Sequence, residues 1–195
     1  MRPDELAILV MAGGLSRRFG AVDKLLADFD GQPLGLQAAT RLGGFDWAQR
    51  LAVAHPSLGP ALSALGFRVL EAPAGNGLGD NIALGARALD QVAGVVIVLA
   101  DMPFVTKDHV QAMMDAAPSA DAIVCTATGE RTSPPVLIGG AHVAALFALS
   151  GDEGAKRIVA TAGTELRLVS APKEMTADID TLDDLARWQS REQGG

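Results

Sequence analysis

Residues 94–100 read Gly-Val-Val-Ile-Val-Leu-Ala, seven residues with no polar side chain and no alternation. A strand that faces water on one side alternates apolar and polar residues, so a run without alternation must be covered on both faces. That requirement narrows the fold more than any other feature of the chain. Shorter apolar runs at 6–11, 50–55, 67–71, 121–127, 134–138 and 165–170 are bounded by glycine, proline or charge and predict further strands. Segments of helical length lie between or beside them at 33–42, 56–65, 78–92, 106–117, 139–151, 152–163 and 181–192. Alternating strands and helices predict an α/β fold with a mostly parallel central sheet. With 195 residues and no repeat, linker or low-complexity tract, the expectation is one domain spanning 1–195.

Charge and cysteine content exclude several classes. A formal net charge of -7 argues against nucleic acid as a partner, because phosphate-backbone binding needs a basic face. The single cysteine, Cys125, has no internal partner, and three histidines scattered at 55, 109 and 142 do not build a zinc site with it. The opening MRPDELAILV has no basic segment leading into an apolar stretch with a cleavage site, and every apolar run falls short of the roughly 18 residues that span a bilayer. The expectation is a cytoplasmic protein with no membrane partner.

Against this acidic background one loop is basic. After the first strand the chain reads Ala12-Gly13-Gly14, and Ser16, Arg17, Arg18 and Lys24 follow within ten residues. Two glycines allow a tight turn and close backbone approach to a ligand. Backbone N–H groups there can cradle phosphate oxygens while arginine forks and a lysine point charge neutralise them. Neither G-x-x-x-x-G-K-[ST] nor G-x-G-x-x-G is present, so a different phosphate loop is expected. In such a sheet the ligand sits where strand C-termini open into loops, here 12–24, 72–80, 101–106 and 128–134.

The buried run at 94–100 leads straight into Asp101, Met102 and Pro103. A carboxylate at the mouth of a parallel sheet is placed where a divalent cation meets nucleotide phosphates, and Mg²⁺ prefers one or two carboxylates, waters and phosphate oxygens. Thr106 is the better N-cap for the helix that follows, which leaves Asp101 for other work. Asp178 and Asp180 precede a helix that Thr181 can cap, and either could add a second carboxylate.

With LVMAGGLSRRFGAVDKLL, GLGDNIALGARA, VLADMPFVT, PPVLI, LFALSGDEGAKRIV and DIDTLDDL in one order, the chain resembles the MobA-like nucleotidyltransferase family over nearly its whole length. Within that family it is most similar to the members that transfer cytidylyl groups to the molybdenum cofactor. The resemblance implies a three-layer Rossmann-like sheet, Mg²⁺, and transfer of a nucleoside monophosphate from a nucleoside triphosphate to the phosphate of molybdopterin, with pyrophosphate released. It places Ala12, Gly13, Gly14, Ser16 and Arg18 around the triphosphate, Lys24 against it, Asp101 and Asp180 on the metal, and Gly79, Asp80 and Asn81 near base and ribose. Arg18, Lys24 and Asp101 become the catalytic candidates, and a molybdenum enzyme a candidate partner.

Ala12-Gly13-Gly14 resembles guanylyl-transferring members, whereas RRFG and LSGDEGAKRI resemble cytidylyl-transferring ones, so CTP is expected ahead of GTP. Ala100 stands where relatives carry glycine, and ERTSPPVL departs from the family's acceptor-side motif. Asp152, Glu153, Lys156 and Arg157 sit where family members face the acceptor. A sugar or polyol phosphate acceptor of the methylerythritol type is an alternative; a non-catalytic nucleotide or cofactor carrier is another. The histidines, Cys125, Met113 and Met114 read as packing or surface residues, and Trp188 as an anchor for the terminal helix.

Overall fold

The computed structural model describes residues 1–14 and 23–192. The first strand, β1 (Leu6–Ala12), is buried at every position. Its even-numbered residues, Leu6, Ile8, Val10 and Ala12, enter one apolar cluster and Ala7, Leu9 and Met11 another. The period of two along a strand thus feeds two cores, one on each side of the sheet.

A short hairpin follows, β2 (Asp28–Phe29) and β3 (Gln32–Pro33). Asp30 and Gly31 at its turn both have positive φ, 51° and 77°, the backbone that favours Asp-Gly between strands. Then come α1 (Gln37–Leu42), β4 (Gln49–Ala54), α2 (Gly59–Ala64), β5 (Arg68–Glu71), α3 (Leu78–Arg87) and β6 (Gly94–Leu99). The second half comprises α4 (Lys107–Asp115), β7 (Ile123–Thr128), β8 (Arg131–Gly139), α5 (Gly140–Leu146), α6 (Lys156–Thr161), β9 (Leu166–Ser170) and α7 (Leu182–Glu192).

Seven of these strands form one sheet in the order β5-β4-β1-β6-β8-β7-β9. Four neighbouring pairs are parallel; β8 runs antiparallel to both β6 and β7. Helices α1, α2 and α4 cover one face and α3, α5 and α6 the other, so the fold is a three-layer α/β sandwich with a mostly parallel sheet. Among the described residues no helix is long and apolar enough to cross a membrane.

Several segments are less helical than their sequence predicts. The helix expected at 33–42 begins as a 3-10 turn over Leu34–Leu36, and the one expected at 152–163 starts only at Lys156. Thr106 does cap α4, accepting from the His109 N–H at 3.2 Å. His109 itself is buried, its Nε2 2.9 Å from the Thr126 hydroxyl, which donates onward to the Pro135 carbonyl at 2.9 Å. Since that hydroxyl has one proton, His109 donates to it through Nε2–H. Burial also pushes the imidazole pKa below its ordinary value.

A third small cluster joins the hairpin to the C-terminal segment. Phe29, Leu34 and Ile179 are fully buried together, with Phe104, Leu185 and Trp188 against them. The Phe104 and Trp188 rings lie 4.5 Å apart. Trp188 therefore anchors the terminal helix.

Candidate functional site

Within the seven-stranded sheet β1 is flanked on one side by β4, the next strand of that sheet in the chain, and on the other by β6. Connections leave in opposite directions at this pair, which makes its C-terminal end the crevice where an open α/β sheet binds its ligand. A cavity of about 670 Å³ opens there. Gly13 and Gly14 beyond β1, Leu99 and Asp101 at the end of β6, Lys24, Asp180 and the 75–78 loop contribute to its walls.

Gly13 is a packing requirement. A Cβ at this position would collide with the Ala72 side chain and press on the Asn81 amide, so only glycine lets β1 turn here against α3. Lys24 is set by its neighbour: the Asp23 carboxylate accepts the Leu25 N–H at 3.0 Å and caps the 3-10 turn Lys24–Leu26. From that turn Lys24 Nζ reaches 2.7 Å from Asp101 Oδ2 and 2.7 Å from Asp180 Oδ1. Asp180 arrives from the far end of the chain because the Ile179 N–H donates to the Asp101 carbonyl at 3.1 Å, while the Ile179 side chain is wholly buried.

The electrostatics follow from this convergence. Burial pulls the Lys24 pKa down, yet the charges of Asp101 and Asp180 and the hydrogen bonds to them outweigh it, and the ammonium is held above its ordinary range. Asp178 is pushed up, first by burial and then by the charges of Asp180 and Asp101. The other oxygen of Asp101, Oδ1, is buried with no hydrogen-bond partner among the described residues. A buried carboxylate oxygen without a partner is costly.

Among the described residues no three or more histidine, cysteine or acidic side chains surround one point. A site built from two carboxylates suits a hard divalent cation that takes its remaining ligands from water and phosphate. Asp101 and Asp180 fit that description, and Asp101 Oδ1 is an acceptor left unused among the described residues.

The second wall is a docked loop. Asp80 Oδ2 accepts the Gly77 N–H at 2.9 Å and the Gly151 N–H at 3.1 Å, and the Gly79 N–H donates to the Gly151 carbonyl at 2.7 Å. Residues 150–153 are thereby fastened to the start of α3. Gly77 has no room for a Cβ against the Gly151 backbone. Gly151 and Asp152 reach the cavity through this contact.

Most of the residues expected from sequence meet here. Gly13, Gly14, Lys24, Asp80, Asn81, Asp101 and Asp180 line the cavity; Ala12 and Gly79 do not. Ser16, Arg17 and Arg18 lie outside the described residues. Asn81 is buried and accepts the Asn76 amide at 3.2 Å. Of the loops expected at the mouth, no residue of 128–134 lines the cavity, whereas Gly151 was not foreseen. Its glycine with φ of 57° after a helix is a general stop signal, and only the contact with Gly79 makes it part of the wall. Of the acceptor-side residues, Asp152 lines the cavity, while Arg157 pairs with Glu153 at 3.4 Å and donates to the Ala148 carbonyl.

Residues 8–168 match the MobA-like NTP transferase domain, and the chain belongs to that family. It is therefore a nucleotidyltransferase. It is 28% identical to the molybdenum cofactor guanylyltransferase of Cupriavidus metallidurans, covering 98% of both chains. It is 27% identical to the purine catabolism protein PucB of Bacillus subtilis, covering 94% of both. Among solved structures, a nucleotidyl transferase from Methanothermobacter thermautotroptrophicus superposes with a TM-score of 0.82 at 18% identity, over 97% of this chain and 98% of that one. Rv0371c from Mycobacterium tuberculosis, in complex with manganese, superposes with a TM-score of 0.74 at 21% identity, over 95% and 98%.

Proposed function

We propose that the enzyme moves a cytidylyl group from CTP to the phosphate of molybdopterin, releasing pyrophosphate, and that it does so as one domain in the cytoplasm. The observation that carries the reading is the meeting of Lys24, Asp101 and Asp180 at a glycine-lined mouth between β1 and β6. Attack by one phosphate on the α-phosphorus of another brings two anions together. Such a step needs in-line positioning and charge neutralisation more than covalent help from the protein.

Each part of the mouth answers one of those needs. The Gly13 and Gly14 backbone can approach the phosphates closely, and Lys24 supplies a mobile positive charge on a four-carbon stem. Asp101 and Asp180 would hold Mg²⁺, and the manganese complex of the mycobacterial relative supports a divalent ion in this architecture. When bound, the ion supplies Lewis-acid neutralisation of phosphate oxygens and of the departing pyrophosphate. Ser16 and Arg18 join the triphosphate site on the strength of the family resemblance. Asp80 Oδ2 already accepts two backbone N–H groups, which leaves its Oδ1, Asn81 and the 75–77 backbone for contacts to base or ribose.

A second reading keeps the acceptor and exchanges the base. The sequence Ala12-Gly13-Gly14 and the guanylyltransferase from C. metallidurans favour GTP. Pyrophosphate release from purified protein with Mg²⁺ and molybdopterin, compared between CTP and GTP with Asp101→Ala as control, separates the two. Release with CTP, abolished in the variant, is the expected result; release with GTP alone moves the assignment to guanylyl transfer, and no release with either removes molybdopterin as acceptor.

A further inference from the structure

Lys24 Nζ bonds the same two carboxylates that suit the divalent ion, and we propose that the two cations exchange. The Lys24 ammonium is the resident counter-ion of the Asp101–Asp180 pair, and a nucleoside triphosphate draws it onto phosphate, so opening the carboxylates to the metal. This rests on the reading of the cavity as a triphosphate site.

The geometry sets up the competition. Nζ sits 2.7 Å from an oxygen of each carboxylate, and the Lys24 side chain is only 13% exposed. Magnesium needs its oxygens at about 2.0–2.1 Å, and an ammonium bridging the same oxygens stands in its way. Removing Lys24 without a replacement cation would leave the Asp101 and Asp180 carboxylates that share it facing one another, so ammonium and metal must trade places rather than leave in turn. The phosphates supply the alternative partner that lets the lysine go, since Gly13 and Gly14 line the same cavity.

The consequence is that a metal-free triphosphate binds weakly, because it must first break two charge-assisted hydrogen bonds. The test is a double-mutant cycle in EDTA, with CTP and GTP binding followed by calorimetry for wild type, Asp180→Asn, Lys24→Met and the double variant. Asp180→Asn should tighten metal-free binding about tenfold in the wild-type background, the scale of one charge-assisted hydrogen bond. In the Lys24→Met background the same change should move it less than twofold.

An equal factor in both backgrounds reduces the effect to charge repulsion and overturns the exchange, as does no tightening in wild type. A parallel cycle with Asp101→Asn carries the test where Asp180→Asn fails to fold, judged by circular dichroism. Wild type that binds neither triphosphate even with Mg²⁺ overturns the triphosphate site itself; Mg²⁺-dependent binding with an additive cycle overturns only the exchange.

Discussion

Two polar clusters in this protein differ in how far their bonding capacity is used. The chain His109, Thr126 and Pro135 is buried in the core and closed, with the Thr126 hydroxyl both accepting and donating. The chain Lys24, Asp101 and Asp180 lies at the rim of a cavity and is open, with Asp101 Oδ1 buried and unpartnered among the described residues. A closed network specifies a fold, because every group in it loses by moving. An open one keeps bonding capacity for something that arrives later. The comparison teaches that unspent valence, more than polarity or burial, separates the candidate site from the structural cluster.

The largest effect that could break this contrast is catalytic. Asp101→Asn should lower nucleotidyl transfer on the order of 10²–10³-fold with melting temperature nearly unchanged, measured by pyrophosphate release and calorimetry. A large loss of stability with modest loss of rate would make Asp101 structural. The opposite pattern is expected at Thr126→Val, which leaves His109 and the Pro135 carbonyl unpaired and should cost about 1–3 kcal/mol of stability with the transfer rate retained.

Acid and alkali sharpen the contrast from opposite sides. The folded pKa of His109 lies below its ordinary 6.5, so its contribution is present above that value and is lost as pH falls through the range below it. His109→Gln should remove this acid sensitivity in denaturant titrations. The folded pKa of Lys24 lies above its ordinary 10.5. Its contribution is complete below 10.5 and disappears as pH rises through the folded value, so Lys24→Met should flatten the alkaline limb alone. The smallest effect is expected at the cap of α7, where Thr181 and Asp184 bond reciprocally at 2.7–3.1 Å. Thr181→Ala should cost about 1 kcal/mol and, through the adjacent Asp180, weaken metal-dependent transfer more than thermal stability.

Much of the site was legible in the chain because its signals are local. A strand followed by Gly13-Gly14 and cations, or by Asp101 and Pro103, declares itself within a dozen residues. Thr106 and Thr181 as caps are equally local. The hairpin at Asp30-Gly31 was not anticipated: Asp-Gly is a strong turn signal between strands, but its two-residue strands are too short to show periodicity. Gly151 gave no signal, because its role depends on a contact with Gly79 seventy-two residues away.

The sequence by itself determined the layers: β1 and β6 carry apolar side chains at every position, and strands wetted on neither face must be sandwiched between helices. It also determined which chemical groups the chain could bring to the end of those strands. Only the tertiary structure decided that β8 enters antiparallel, that residues 150–153 close one wall, and that Asp180 and Lys24 meet across 156 residues. The physical reason is range. Side-chain burial and turn geometry are set by near neighbours, whereas the pairing of charges distant in the chain is set by the packing of Ile179 and Trp188 against the hairpin, and nothing in the local sequence records it.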